Sequence, residues 1–103
     1  MSIATDMDRI IREEARLIIL KALAEQVNES LSSSMIEPVL QTFAIYQERA
    51  WIHQQMEYLR NMAAVTLVEA GSVKIATLTD MGRRHLDRHV AIEGVKRPSR
   101  STA

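Results

Sequence analysis

The 103-residue chain has no cysteine, three glycines, two prolines and four aromatic side chains. Lack of cysteine excludes a disulfide framework, a thiolate zinc site, an iron–sulfur cluster and a cysteine nucleophile. Three glycines are too few for most glycine-cradled phosphate sites. No apolar run approaches the ~20 residues of a membrane span, and no basic segment followed by an apolar one opens the sequence, so neither a membrane span nor a secretory signal is expected. Net charge is missing too, with 13 Lys and Arg against 13 Asp and Glu. What remains is 47% hydrophobic and 25% charged residues, the composition of a single soluble globular domain able to bury a core without staples. These absences remove many enzyme classes and turn attention to binding modules.

The zero total hides an asymmetry. Residues 1–64 carry nine acidic and six basic side chains, and residues 65–103 carry four acidic and seven basic ones. Arg83, Arg84, Arg88, Lys96, Arg97 and Arg100 gather late in the chain, where a polyanion-binding surface is expected if one exists.

Thr5 or Asp6 is a suitable N-cap for a first helix running to about Val27, with Ile11, Ala15, Ile18 and Ala22 on one face. Asp8 with Arg12, and Arg9 with Glu13, fall at i,i+4 spacing. Leu17, Ile18, Ile19 and Leu20 are consecutive and therefore point all round the axis. A small domain rarely covers a helix completely, so this run predicts a homodimer with Leu17, Ile19 and Leu20 at the interface. Asn28 to Ser34 is polar. Ser34 with Glu37 reads as a capping box for a second helix, in which Pro38 either follows the start or produces a kink. A third helix is predicted over about Gln47 to Met62, with Ile52, Met56, Leu59 and Ala63 inward.

The period then changes. Val65 to Glu69 and Val73 to Leu78 alternate and are β-branched, and Ala70-Gly71-Ser72 supplies a turn, which predicts a β-hairpin. Thr79 caps a fourth helix over about 80–90, with Asp80 in its first turn. Residues 93–103 have little to bury and are expected to form a flexible basic tail on a domain of residues 1–92. The order α-α-α-β-β-α, mainly helical with one small hairpin, is that of a winged helix-turn-helix, the hairpin being the wing.

Thr77-Leu78-Thr79-Asp80-Met81-Gly82 resembles the step that follows the wing in many winged-helix regulators. Asn28-Glu29-Ser30-Leu31, Ala76-Thr77-Leu78-Thr79 and Gly94-Val95-Lys96-Arg97-Pro98 extend the likeness over roughly residues 8 to 100. Together they resemble a family of small winged-helix proteins of Mu-like phages and prophages, encoded near lysis and DNA-packaging genes. The resemblance implies a DNA-binding protein of the bacterial cytoplasm, acting as a transcriptional regulator or a packaging accessory factor.

For double-stranded DNA, the third helix offers Arg49, His53, Gln54 and Arg60, types that match base edges and phosphates. Lys74 on the wing, with Arg83, Arg84 and Arg88 on the last helix, would add phosphate contacts. Glu48 and Glu57 repel phosphate and favour the alternative, a protein–protein adaptor on the same scaffold. His85 and His89 stand at i,i+4, but no third ligand accompanies them, so they are read as an exposed basic face rather than a metal site. The serines 30, 32, 33 and 34 read as caps and loop residues, since no histidine or lysine lies nearby in sequence to activate them. No enzyme activity, cofactor or small-molecule substrate is expected.

Overall fold

The computed structural model of the protein describes residues 2–100. Its elements run α1 (Ile3–Ala24), β1 (Ser30–Ser32), α2 (Ser33–Thr42), α3 (Arg49–Asn61), β2 (Val65–Ala70), β3 (Val73–Leu78) and α4 (Asp80–Leu86). Four helices are thus combined with a three-stranded antiparallel sheet of order β1-β3-β2.

α1 starts before either expected cap because the Ser2 hydroxyl accepts the Thr5 amide at 3.2 Å. Asp8 and Arg12 pair at 2.7 Å, and Arg9 and Glu13 at 3.6 Å. In the C-terminal half of α1 the apolar residues Ala15, Leu17, Ile18, Ile19, Leu20, Ala22 and Leu23 are all buried, while Lys21 is exposed. The chain supplies this cover itself, through α2, α3, α4, β1 and β3 and through Ile92 and Val95 beyond α4. Leu17, Ile19 and Leu20 are therefore not an intersubunit surface, because Ile19 and Leu20 have no exposed area and Leu17 has 4%. The expectation erred by treating the last residues as having nothing to bury.

Ser32, not Ser34, caps α2, accepting the Met35 amide at 3.4 Å. Pro38 lies inside this helix, where its missing N–H leaves the Ser34 carbonyl without the usual donor. β1 is an element that the sequence pattern did not announce. Its residues pair Ser30 with Thr77, Leu31 with Ala76 and Ser32 with Ile75, and the Ser30 and Thr77 hydroxyls meet at 2.6 Å. The expected β2–β3 hairpin forms, Val65 pairing with Leu78 through Ala70 with Val73, so Ala70 belongs to β2 rather than to the turn. Gly71 takes a positive φ of 62° at its turn.

α2, α3 and α4 end in the same way. After α2, Ala44 donates to the Gln41 carbonyl and Ile45 to that of Leu40; after α3, Ala63 donates to Arg60 and Ala64 to Leu59; after α4, Arg88 donates to His85 and His89 to Arg84. Each is a Schellman closure, which needs a left-handed residue just past the helix, usually glycine. Here Ala44, Ala63 and Arg88 fill the place, with φ of 63°, 64° and 63°.

Thr79 caps α4 as expected, accepting the Gly82 amide at 3.2 Å. α4 is shorter than predicted and lies hard against the start of β2. A Cβ on Gly82 would collide with the Ala64 carbonyl oxygen and stand 2.7 Å from Leu78 Cδ1. The glycine of the step after the hairpin therefore sets how closely α4 approaches.

The segment after α4 is packed rather than flexible through residue 98. His85 is completely buried and holds it at two points. Its Nδ1 accepts the Ile92 amide at 3.0 Å, which puts the ring proton on Nε2, 3.0 Å from the Lys96 carbonyl oxygen. Arg88 donates to the Pro98 carbonyl. Lys96 donates its amide to the Glu13 carbonyl at 3.1 Å and its ammonium to Glu14 at 2.7 Å. Gly94, at φ 80°, leaves no room for a Cβ beside the Tyr58 ring, whose Cζ would stand 2.6 Å away. The basic tail expected from residue 93 is thus part of the domain, and its end, 101–103, lies outside the described residues.

Two stability predictions follow from these contacts. Ala44 and Ala63 are both exposed, so Ala44→Gly and Ala63→Gly should each raise unfolding free energy by about 0.5–1 kcal/mol, as measured by urea denaturation, by removing the Cβ from a left-handed backbone. His85→Phe keeps the ring but strands a buried amide and a carbonyl. It should lower stability by about 2–4 kcal/mol, and a loss under 0.5 kcal/mol would show that the segment is not held by His85.

Candidate nucleic-acid interface

α3 turns Ile52, Gln55, Met56 and Leu59 into the core, leaving Arg49, Ala50, Gln54, Arg60 and Asn61 exposed. At the N-terminal end of α3, Arg49 Nη1 donates to Ser72 Oγ at 3.0 Å. This contact joins the start of the helix to the hairpin turn and makes one surface of the two.

Not all of the eight expected contact residues reach that surface. His53 is turned inward to Ser33, its Nε2 2.9 Å from the hydroxyl oxygen, and the same oxygen accepts the Lys74 amide at 3.2 Å. The trio ties the start of α2 to α3 and β3. Lys74 is 16% exposed and lies between Glu69 at 3.2 Å and Glu57 at 3.5 Å, so its charge is already matched. Arg83 is paired with Glu29, and Arg88 holds the Pro98 carbonyl. Gln54, Arg60 and Arg84 are exposed and, among the described residues, their side chains make no hydrogen bond or ion pair. The structure therefore leaves Arg49, Gln54 and Arg60 exposed on α3 and Arg84 exposed on α4, and commits His53, Lys74, Arg83 and Arg88 to contacts within the chain.

Two constellations escaped sequence reasoning. Ser33 and His53 are brought together from positions twenty apart, yet Ser33 is 1% exposed and its oxygen already serves the Lys74 amide. The pair is a fastener and not an accessible nucleophile. Arg16 stacks 3.6 Å above the Tyr58 ring, donates Nε to Gln55 Oε1 at 2.9 Å and donates Nη1 to the Gly94 carbonyl at 2.8 Å. Burial pushes its pKa down, opposed by the nearby Tyr58. The buried Gln55 was the available signal, since a polar side chain beside an inward stripe requires a partner. The histidine pair at 85 and 89 does not form a basic face, because His85 is buried with both ring nitrogens occupied.

The chain is 28% identical over 89 residues to the uncharacterized protein gp26 of Escherichia phage Mu, a match covering 86% of this chain and 92% of the phage protein. This likeness supports an origin in a Mu-like phage. No protein-family model matches the sequence, and no solved structure matches it. Among the described residues, no helix is long and apolar enough to cross a membrane.

The setting of His53 has a consequence for pH. Burial lowers its pKa below the ordinary 6.5, and the charges of Lys74 and Arg49 lower it further, against smaller opposing effects of Glu57 and Glu69. The unfolded chain takes up this proton more readily than the folded one. The resulting stabilisation is complete above pH ~6.5 and is lost as pH falls through the folded value. His53→Gln should therefore show a smaller fall in thermal midpoint between pH 7 and pH 5 than the parent protein. Equal falls would mean that His53 does not carry this dependence.

Proposed function

We propose that the chain is a winged helix-turn-helix protein of a Mu-like phage or prophage. It binds duplex DNA in the bacterial cytoplasm as a regulator or a packaging accessory factor. The order α1-β1-α2-α3-β2-β3-α4, with β1 closing the sheet beside the hairpin, is the arrangement in which α3 is the reading helix and β2–β3 the wing. The observation that carries the reading is the bond from Arg49 to Ser72. It sets the helix start and the wing turn side by side, as a groove-spanning contact requires.

Arg49 and Gln54 are the base readers in this scheme, and Arg60 and Arg84 meet phosphates. Such a set is small, so binding is weak and its salt slope is shallow, about −2 for two phosphate contacts. A second reading, a protein-binding adaptor, is favoured by one observation. Glu57 and Glu69 neutralise Lys74 and leave the outer face of α3 close to zero charge.

A gel-shift or fluorescence-anisotropy titration against fragments of the surrounding phage genome, in a salt series, separates the two. Arg60→Ala and Arg84→Ala should each weaken binding to all duplexes and reduce the salt slope by about one unit. Gln54→Ala should lower the preference for the specific site by about 1–3 kcal/mol. Lys74→Ala should leave the slope unchanged. Absence of salt-dependent binding at ~50 mM salt, where phosphate contacts are strongest, would remove the DNA reading and leave the adaptor.

A further inference from the structure

The N-terminal half of α1 differs sharply from the rest of the helix. Ile3, Met7 and Ile10 fall on one stripe and are 82%, 47% and 47% exposed. The stripe borders a groove of about 420 Å3 whose walls include Ile10, Ile11, Phe43 and Tyr46. Phe43 and Tyr46 are themselves 58% and 71% exposed. A stable soluble protein seldom leaves two aromatics and three aliphatic side chains in water on one face.

From this face we infer that the protein is a homodimer whose subunits pack antiparallel through Ile3, Met7 and Ile10 of α1, with Phe43 and Tyr46 closing over the joint. Self-complementarity identifies the occupant as a second copy. The same helix offers a ridge, Ile3 and Met7, and at the next turn a groove, beside Ile10 and Ile11. A two-fold axis crossing α1 between Met7 and Asp8 sets each ridge into the other copy's groove, the mutual fit that an isologous interface demands. In that register Ile10 of one copy falls between Ile3 and Met7 of the other, and the small Ala4 comes over Ile11.

Charge agrees with the same register. Asp6 and Arg9 lie on one flank of the stripe, and antiparallel packing brings like flanks together. Asp6 of each copy then stands beside Arg9 of the other. Arg9 is available for this, since its contact with Glu13 within the chain is an exposed pair at 3.6 Å, of a kind that contributes little. Area agrees as well. The exposed parts of the five apolar side chains amount to on the order of 600 Å2, and with their polar rim they approach the ~800 Å2 per partner of a standard stable interface.

The experiment is sedimentation velocity with the whole chain at about 10–100 μM. The parent protein should sediment with the mass of two subunits. Met7→Glu and Ile10→Glu should each weaken the dimer by more than about tenfold. Their circular dichroism should stay unchanged, because both side chains lie outside the core, and the midpoint of the parent alone should rise with protein concentration. Val68→Glu, on the remote strand β2, should have no effect. Asp6→Arg and Arg9→Asp should each weaken association, and the double variant should restore it. A single-subunit mass for the parent at 100 μM would overturn the proposal, and so would a dimer that survives both glutamate variants. Failure of the double variant to restore association would overturn the antiparallel register. None of these readouts involves DNA, so they stand or fall apart from the proposed DNA binding.

Discussion

From Ala15 to Leu23, α1 buries every apolar side chain that it carries, and the remaining architecture answers that constraint. A helix whose successive residues are Leu17, Ile18, Ile19 and Leu20 exposes apolar surface in every direction until something stands on each side. Removing one such side chain from water is worth about 1.5–3 kcal/mol, a large share of a small domain's net stability. α2, α3, α4 and β3 take most of the circumference, and the stretch after α4 adds Ile92 and Val95 to the same cluster. That stretch has no helix or strand to hold it in place. It is fastened instead by individual polar contacts, chiefly those of His85, Arg16 and Lys96.

The basic residues accordingly serve two purposes. Several that look in the sequence like a polyanion-binding set are ties between elements. Arg16 bridges α1, α3 and the final segment; Arg83 reaches Glu29 at the entrance to β1; Arg88 holds Pro98; Lys74 joins the hairpin to α3 through Glu57. An arginine is well suited to such work, because its fork can satisfy several carbonyls or carboxylates at once. Among the described residues, the exposed cations outside an ion pair are Lys21, Arg49, Arg60, Arg84, Arg97 and Arg100.

The parts legible in the sequence were those written as a periodicity or a local cap. α1, α3 and the hairpin follow from apolar spacing, and the start of α4 follows from Thr79. β1 was not legible because Ser30-Leu31-Ser32 is too short and too polar to show alternation; its partner β3 defines it as a strand. The ends of α2, α3 and α4 were blurred because alanine or arginine, not glycine, occupies the left-handed position. Within the candidate site, residue types identified Arg49, Gln54 and Arg60 correctly as exposed. They could not show that His53 faces Ser33, or that Lys74 is held between two carboxylates, since those partners lie 20 positions and 17 positions away along the chain or across a strand pair. Long-range pairing of charges leaves no local mark.

The packed final segment also bears on how the protein is made. Translation delivers α1 well before residues 92–98, at about 5–20 residues per second. Until those residues leave the ribosome, the cluster that contains Ile19 and Leu20 lacks the cover of Ile92 and Val95, and Gly94 cannot meet Arg16. The nascent chain therefore holds an open, apolar α1 until residues 92–98 emerge. In this interval the new chain is open to aggregation and proteolysis, and it becomes a closed domain only once residues 92–98 have emerged.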